Sequence, residues 1–253
     1  VVPGKSLSVE SLELTTAALG LSGKLELGLD EAQALSGQID LSPLALATLE
    51  GLVGQPIEGE LTSGITLAGT LPAPEVTAGA KVVDLAIAGR RFDRVVLDAR
   101  ASGPLAEPAG DLSLAIEQGG DTLALKSGFA LENQRLELSK LRLTAPFTEL
   151  SGEATVALDK LLATGRLAGR VGDLAALQPW TGQDLRGAID LDARFDGSAG
   201  RQDATISMTA ADVGGDFGNL KRASVEARIE DALGRLGVDA TITAGGFTQP
   251  EPG

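Results

Sequence analysis

The chain has no Cys, no His and no Tyr, and it holds only one Trp (Trp180), one Met (Met208) and six Phe. Those absences remove disulfides, thiolate and imidazole nucleophiles and the usual zinc ligands together. Any catalysis would have to rest on carboxylates, Ser, Thr, Lys or Arg. A Cys-free chain also fits an oxidising compartment. Positive charge is scarce: 21 Lys and Arg stand against 35 Asp and Glu, a formal net charge of -14. Such a surface repels phosphate backbones, which argues against nucleic-acid binding. With aromatics at 3% of residues, the apolar surface must be built from Leu, Val, Ile and Ala. No run approaches about 18 consecutive apolar residues, so no membrane-spanning helix is expected. The start, Val1-Val2-Pro3-Gly4, lacks the charged opening and apolar stretch of a signal peptide. Without an initiator Met, and with strand pattern running close to Pro250-Glu251-Pro252-Gly253, the sequence reads as a segment of a longer chain.

What is abundant is alternation. Leu25, Leu27 and Leu29 are spaced by Glu26 and Gly28, and Leu112, Leu114 and Ile116 by Ser113 and Ala115. The same two-residue step relates Leu123 to Leu125, Leu136 to Leu138, Leu141 to Leu143, Val156 to Leu158 and Val238 to Ile242. It also runs through Ile189, Leu191 and Phe195, joins Val225 to Ile229, and takes in Leu67 and Leu97. Period two predicts strands with one apolar face. The charged residues fall on the other face: Lys24, Glu26, Asp98, Arg100, Glu137, Arg142, Asp190, Asp192, Arg194, Glu226 and Arg228. One wet side is the mark of antiparallel sheets; parallel sheets are buried on both sides. Gly119-Gly120-Asp121 supplies a hairpin turn. Two stretches lose the period, Ser42 to Val53 and Asp173 to Trp180. Each predicts a short helix, with Ser42 as N-cap before Pro43 in the first, Asp173 as N-cap in the second, and Trp180 packing the second against the sheet.

The unit is written twice. LELTTAALGLSGKLELGLD at 12–30 returns as LRLTAPFTELSGEATVALD at 141–159, with eight identical pairs that include Leu21-Ser22-Gly23 with Leu150-Ser151-Gly152. The Leu-Ser-Gly triplets are expected at equivalent turns. One residue out of phase, Gly59 answers Gly187, Asp84 answers Asp212, and Leu97, Ala99 and Arg100 answer Val225, Ala227 and Arg228. A long period filled with short strands is the signature of a β array. The expected organisation is one continuous β-array domain over 1–253, duplicated as roughly 7–135 and 136–253.

Motifs that carry chemistry fail on inspection. Gly4-Lys5-Ser6 has too little chain before it for a phosphate loop, and neither a nucleophile elbow nor a dinucleotide fingerprint occurs. Asp190, Asp192, Asp196 and Gly197 are interrupted by Leu191 and Phe195, as on a strand exterior rather than a calcium loop. Acid pairs such as Glu10 with Glu13 are ordinary on a solvated strand face. The chain reads as a non-enzyme that needs no cofactor or metal.

The Leu-Ser-Gly triplets, the Asp173-Leu174-Ala175-Ala176-Leu177 opening and the strand Arg186-Gly187-Ala188-Ile189-Asp190-Leu191 together resemble the TamB family of Gram-negative envelope proteins, within the AsmA-like group. The first copy carries degenerate forms in Asp40-Leu41-Ser42-Pro43-Leu44, Glu58-Gly59-Glu60-Leu61 and Gly69-Thr70-Leu71-Pro72. The resemblance implies an elongated curled sheet, the β-taco, with an apolar groove in the periplasm. It also implies an inner-membrane anchor helix and an outer-membrane partner of TamA type, both reached through regions not in this chain. About 16 strands at roughly 4.8 Å each would give a trough of about 75 Å. The expected cargo is phospholipid, its acyl chains lying against the apolar residues named above. A scaffold for outer-membrane β-barrel assembly and a secreted β-helix adhesin are the competing readings.

Overall fold

The computed structural model describes residues 6–15, 20–198, 200–215 and 218–249. The chain divides into two units, Val1–Asn133 and Gln134–Gly253. The first contains β1 (Ser6–Thr15), β2 (Gly20–Gly28), β3 (Leu35–Ala45), β4 (Ile57–Thr70), β5 (Ala73–Ile87), β6 (Arg90–Ser102), β7 (Ala109–Gln118) and β8 (Asp121–Glu132). The second contains β9 (Arg135–Ala145), β10 (Thr148–Ala157), β11 (Leu162–Val171), β12 (Arg186–Asp196), β13 (Asp203–Gly215), β14 (Gly218–Glu230) and β15 (Gly237–Thr248). In each unit the strands pair antiparallel in strict sequence order. Each sheet is an open meander, and it is uncurled where the resemblance implied a curled β-taco. The described residues are all-β and antiparallel, with two short helical segments among them.

Short connections enforce this order, because a tight turn can join only neighbours. Gly119 and Gly120, both at positive φ, link β7 to β8 through the Gln118–Asp121 pair. The Gly119 amide also donates to the Asp93 carboxylate at 2.7 Å, tying this turn to β6.

Both helical segments lie where the period of two lapses. The first is later and shorter than expected: β3 runs through Ser42 and Pro43 to Ala45, and a 3-10 turn (Leu46–Leu49) then passes into α1 (Glu50–Val53). Ser42 is thus a strand residue, and Ala45 takes the N-cap position without a side-chain bond. Pairing of Leu44 with Leu61 and Ala45 with Glu60 holds that stretch in the ladder and overrides the Ser-Pro signal. In the second copy Asp173 is the cap, its carboxylate accepting from the Ala175 amide at 3.0 Å. A 3-10 turn (Leu174–Leu177) then leads into α2 (Gln178–Thr181), where Trp180 is half-buried. Leu46 and Leu174, in equivalent places, are among the few buried apolar side chains.

The repeat is legible in the ladders. Leu12 pairs with Gly23 and Leu14 with Leu21, just as Leu141 pairs with Gly152 and Leu143 with Leu150. The Leu-Ser-Gly triplets lie inside β2 and β10, not at turns; there Gly23 and Gly152 leave room for the neighbouring strand. Both β1 and β9 carry a register shift just past the glycine of that triplet. The β4–β5 and β12–β13 pairs each shift register at a glycine, Gly59 or Gly187. Such bulges bend a strand and sharpen its twist.

Candidate functional site

Strand alternation and register together sort the side chains of each unit onto two faces. In the first unit one row of cross-strand partners runs Leu14, Leu21, Leu41, Ser63, Ala80, Leu97, Leu114, Leu125, passing through all eight strands. Beside it run Leu12, Gly23, Ile39, Ile65, Ala78, Ala99, Leu112, Ser127. A third row carries Val9, Leu25, Gly37, Leu67 and Val76, and a fourth Leu44, Leu61, Val82, Val95, Ile116 and Leu123. Leu27 joins the same face between Leu7 and Leu35.

The second unit repeats the scheme. Leu143, Leu150, Gly169, Leu191, Met208, Val225 and Ile242 form one row, and Leu138, Ala154, Gly165, Phe195, Ala204, Ile229 and Val238 another. Leu141 lies in the row between them, Leu136 pairs with Val156, and Ile189 pairs with Val171 and Ala210. Of the residues singled out from sequence, all but two therefore share the apolar face of their unit. Leu29 and Leu158 do not. They lie beyond the ends of β2 and β10, where the alternation has already passed into a loop.

The two exceptions belong to a different feature. In a meander, every second connection lies at the same end of the strands. Leu29, Leu71 and Leu105 stand exposed on such connections at one end of the first unit, and Leu158, Leu161, Leu233 and Leu236 on those of the second. Period-two reading could not find this rim, since loops carry no alternation. It also passed over Leu41, Leu61, Val82, Leu150, Leu167 and Ile206, whose places follow from register across strands.

Within each unit, no second layer of described residues covers the apolar face. Among the described residues no large side chain is fully buried, and the buried apolar set is confined to Leu44, Leu46, Leu162, Leu174, Ala193 and Ala204. Leu25 and Leu97, in the middle of strands, remain 38% and 40% exposed. The expected groove is present as an open face rather than an enclosed trough. With so few aromatic side chains, nothing bulky bridges across it.

The opposite face is charged. Arg94 pairs with Glu117 at 3.7 Å, Arg170 with Asp190 at 3.8 Å and Arg142 with Glu149, all between neighbouring strands and all well exposed. A hollow of about 570 Å³ over β12–β15 is lined by Asp190, Thr209, Ser224 and Thr243, which form one cross-strand row, together with Arg222 and small residues. Its carboxylate is engaged with Arg170. Among the described residues no cluster of three or more acidic side chains is placed to hold a metal ion. Among the described residues Asp196 is the one carboxylate with a clear shift. The Ser198 hydroxyl and backbone amide, the latter at 2.9 Å, hold it below its ordinary range.

No helix among the described residues is long and apolar enough to cross a membrane. No protein-family model, curated protein or solved structure matches the chain.

Proposed function

We propose that this protein binds phospholipid acyl chains on its apolar face and conducts them between inner and outer membranes, as a periplasmic module of TamB type with no chemical step. The observation that carries the reading is a face of Leu, Ile, Val, Ala and Gly that continues row by row through every strand of each unit while staying half-exposed. A monomeric protein rarely leaves so large an apolar area open without a ligand or partner for it. The free energy is of the right size. Moving an acyl chain of about 16 carbons into water costs roughly 13 kcal/mol at about 0.8 per CH₂, and contact with a continuous apolar face removes much of it.

Native mass spectrometry of the gently purified protein, with extraction of labelled phosphatidylcholine from vesicles, tests the proposal. Bound phospholipid and saturable extraction are expected. A protein that carries no lipid and extracts none, while folded, overturns the reading.

A scaffold for outer-membrane barrel assembly is the second reading, and the bare edge of β1 favours it. Every residue of that strand is exposed, and among the described residues no strand pairs with its outer edge, where an incoming chain could add. Binding of unfolded barrel strands, weakened by salt, would support it over lipid conduction.

A further inference from the structure

The two ends of the strands differ. In the first unit each of the three connections at one end exposes a leucine: Leu29 between β2 and β3, Leu71 between β4 and β5, and Leu105 between β6 and β7. Such connections recur every two strands, about 10 Å apart, so these side chains form a line rather than a patch. At the opposite end the β5–β6 and β7–β8 turns are Ala88-Gly89 and Gly119-Gly120, and Leu44 and Leu46 are buried beside the helical segment that joins β3 to β4. The second unit repeats the line with Leu158 and Leu161 between β10 and β11, and with Leu233 and Leu236 between β14 and β15. Among the described residues, the connections at its other end expose one large apolar side chain, Phe147.

Leu161 is 70% exposed at a φ of 55°. Glycine takes that backbone without strain, and a leucine so exposed recovers nothing within the chain for holding it. Leu29 and Leu158 lie one period beyond Leu27 and Val156, the last apolar-face residues of β2 and β10. The line therefore borders the apolar face.

We propose that this line of leucines inserts into the surface of a zwitterionic phospholipid bilayer and sets the open end of the apolar face against the membrane from which acyl chains enter it. The inference rests on the reading of that face as a lipid-binding surface. Single leucines on separate loops form no shared pocket for a folded partner, whereas a bilayer accepts separate apolar tips at any spacing. Charge selects the lipid. The three first-unit connections carry Asp30, Glu31 and Glu107 and no Lys or Arg. They suit the outward ammonium of a zwitterionic headgroup and are repelled by an anionic surface. In the second unit Lys160 offsets Asp159 and Arg235 offsets Asp231, so those connections add no net charge.

Flotation of the whole chain with phosphatidylcholine vesicles tests the contact. Saturable binding is expected, and it should weaken when phosphatidylglycerol replaces part of the lipid. Leu29→Ser combined with Leu105→Ser changes two side chains already 58% and 71% exposed, so the fold should be retained while vesicle binding falls about tenfold. Phe147→Ser, at the other end, should leave binding unchanged. Native mass spectrometry with short-chain phosphatidylcholine supplied as monomers isolates the face: the double variant should load as fully as the parent. A folded parent that carries lipid yet does not float, equal flotation of parent and double variant, or stronger binding to the anionic vesicles would overturn the inference. A parent that floats but carries no lipid would uphold the membrane contact and overturn the reading of the face instead.

Discussion

Gly187 lies directly against Asp212: a Cβ at Gly187 would come within 2.6 Å of the Asp212 carbonyl oxygen, and Asp212 itself has a φ of 51°. Gly59 and Asp84 repeat the relationship, with φ 126° at the glycine and 52° at the aspartate. The bulge thus needs a residue without a Cβ on one strand and a residue that tolerates the left-handed region on the other. Gly187→Ala and Gly59→Ala should each destabilise the fold by about 2–3 kcal/mol, by strain at positive φ together with the clash. Gly51→Ala is the control. It lies in α1, where nothing lies within 4 Å of an added Cβ, and should stabilise by about 0.4–1 kcal/mol. Urea unfolding midpoints of the three variants check the contrast.

That bulge marks how much of the fold was legible in the sequence. The echo of Gly59 in Gly187 and of Asp84 in Asp212 was visible in the letters, but letters alone do not say that the two positions touch. Alternation placed Leu114, Leu138 and Leu191 on the correct face because the period of a strand is fixed by its pleat. It failed at Leu29 and Leu158, where the pattern outran the strand by one step. It failed again at Ser42, where a local capping signal was outweighed by pairing with β4. Openness of the face could not be read either, since curvature depends on register shifts spread over many strands.

The polar face should contribute little to stability. Arg170 and Asp190 are opposed across β11 and β12 at 3.8 Å, with both side chains more than half exposed. Arg170→Ala should therefore cost no more than about 0.2–1 kcal/mol, and the loss should shrink in 1 M salt. Thermal melts at low and high ionic strength would show it. A larger, salt-insensitive loss would mean that the Arg170 stem packs on the sheet in a way the ion pair does not explain.

Asp196 offers a site-specific pH test. Bonds from the Ser198 hydroxyl and amide stabilise its ionised form and lower its pKa. A carboxylate depressed in the folded state adds stability above its unfolded pKa, and that contribution disappears as pH falls through the folded value. Ser198→Ala removes the hydroxyl and keeps the amide, so the Asp196 pKa should rise part of the way to normal. Carboxyl chemical shifts followed from pH 6 to 2 would detect it; an unmoved titration in the variant would assign the shift to the amide alone.

The conduction proposal meets its sharpest test at Leu114. Its side chain sits mid-row, between Leu97 and Leu125, on the apolar face of the first unit. Leu114→Arg should fold, because an open face lets the long side chain reach water and the strand keeps all its backbone pairing. An acyl chain passing that point must then displace water from a guanidinium group. The penalty is several kcal/mol in an apolar path, enough to slow passage by orders of magnitude. Glu137→Arg places the same group on the opposite face, where Glu137 is exposed and pairs with Thr155, and should leave transfer unchanged. Transfer of labelled phospholipid between donor and acceptor vesicles, at equal folded concentration, compares the two. Loss in the first with retention in the second is the expected outcome. Equal rates in both would remove the apolar face from the transport path and leave the sheet edges as the remaining functional surface.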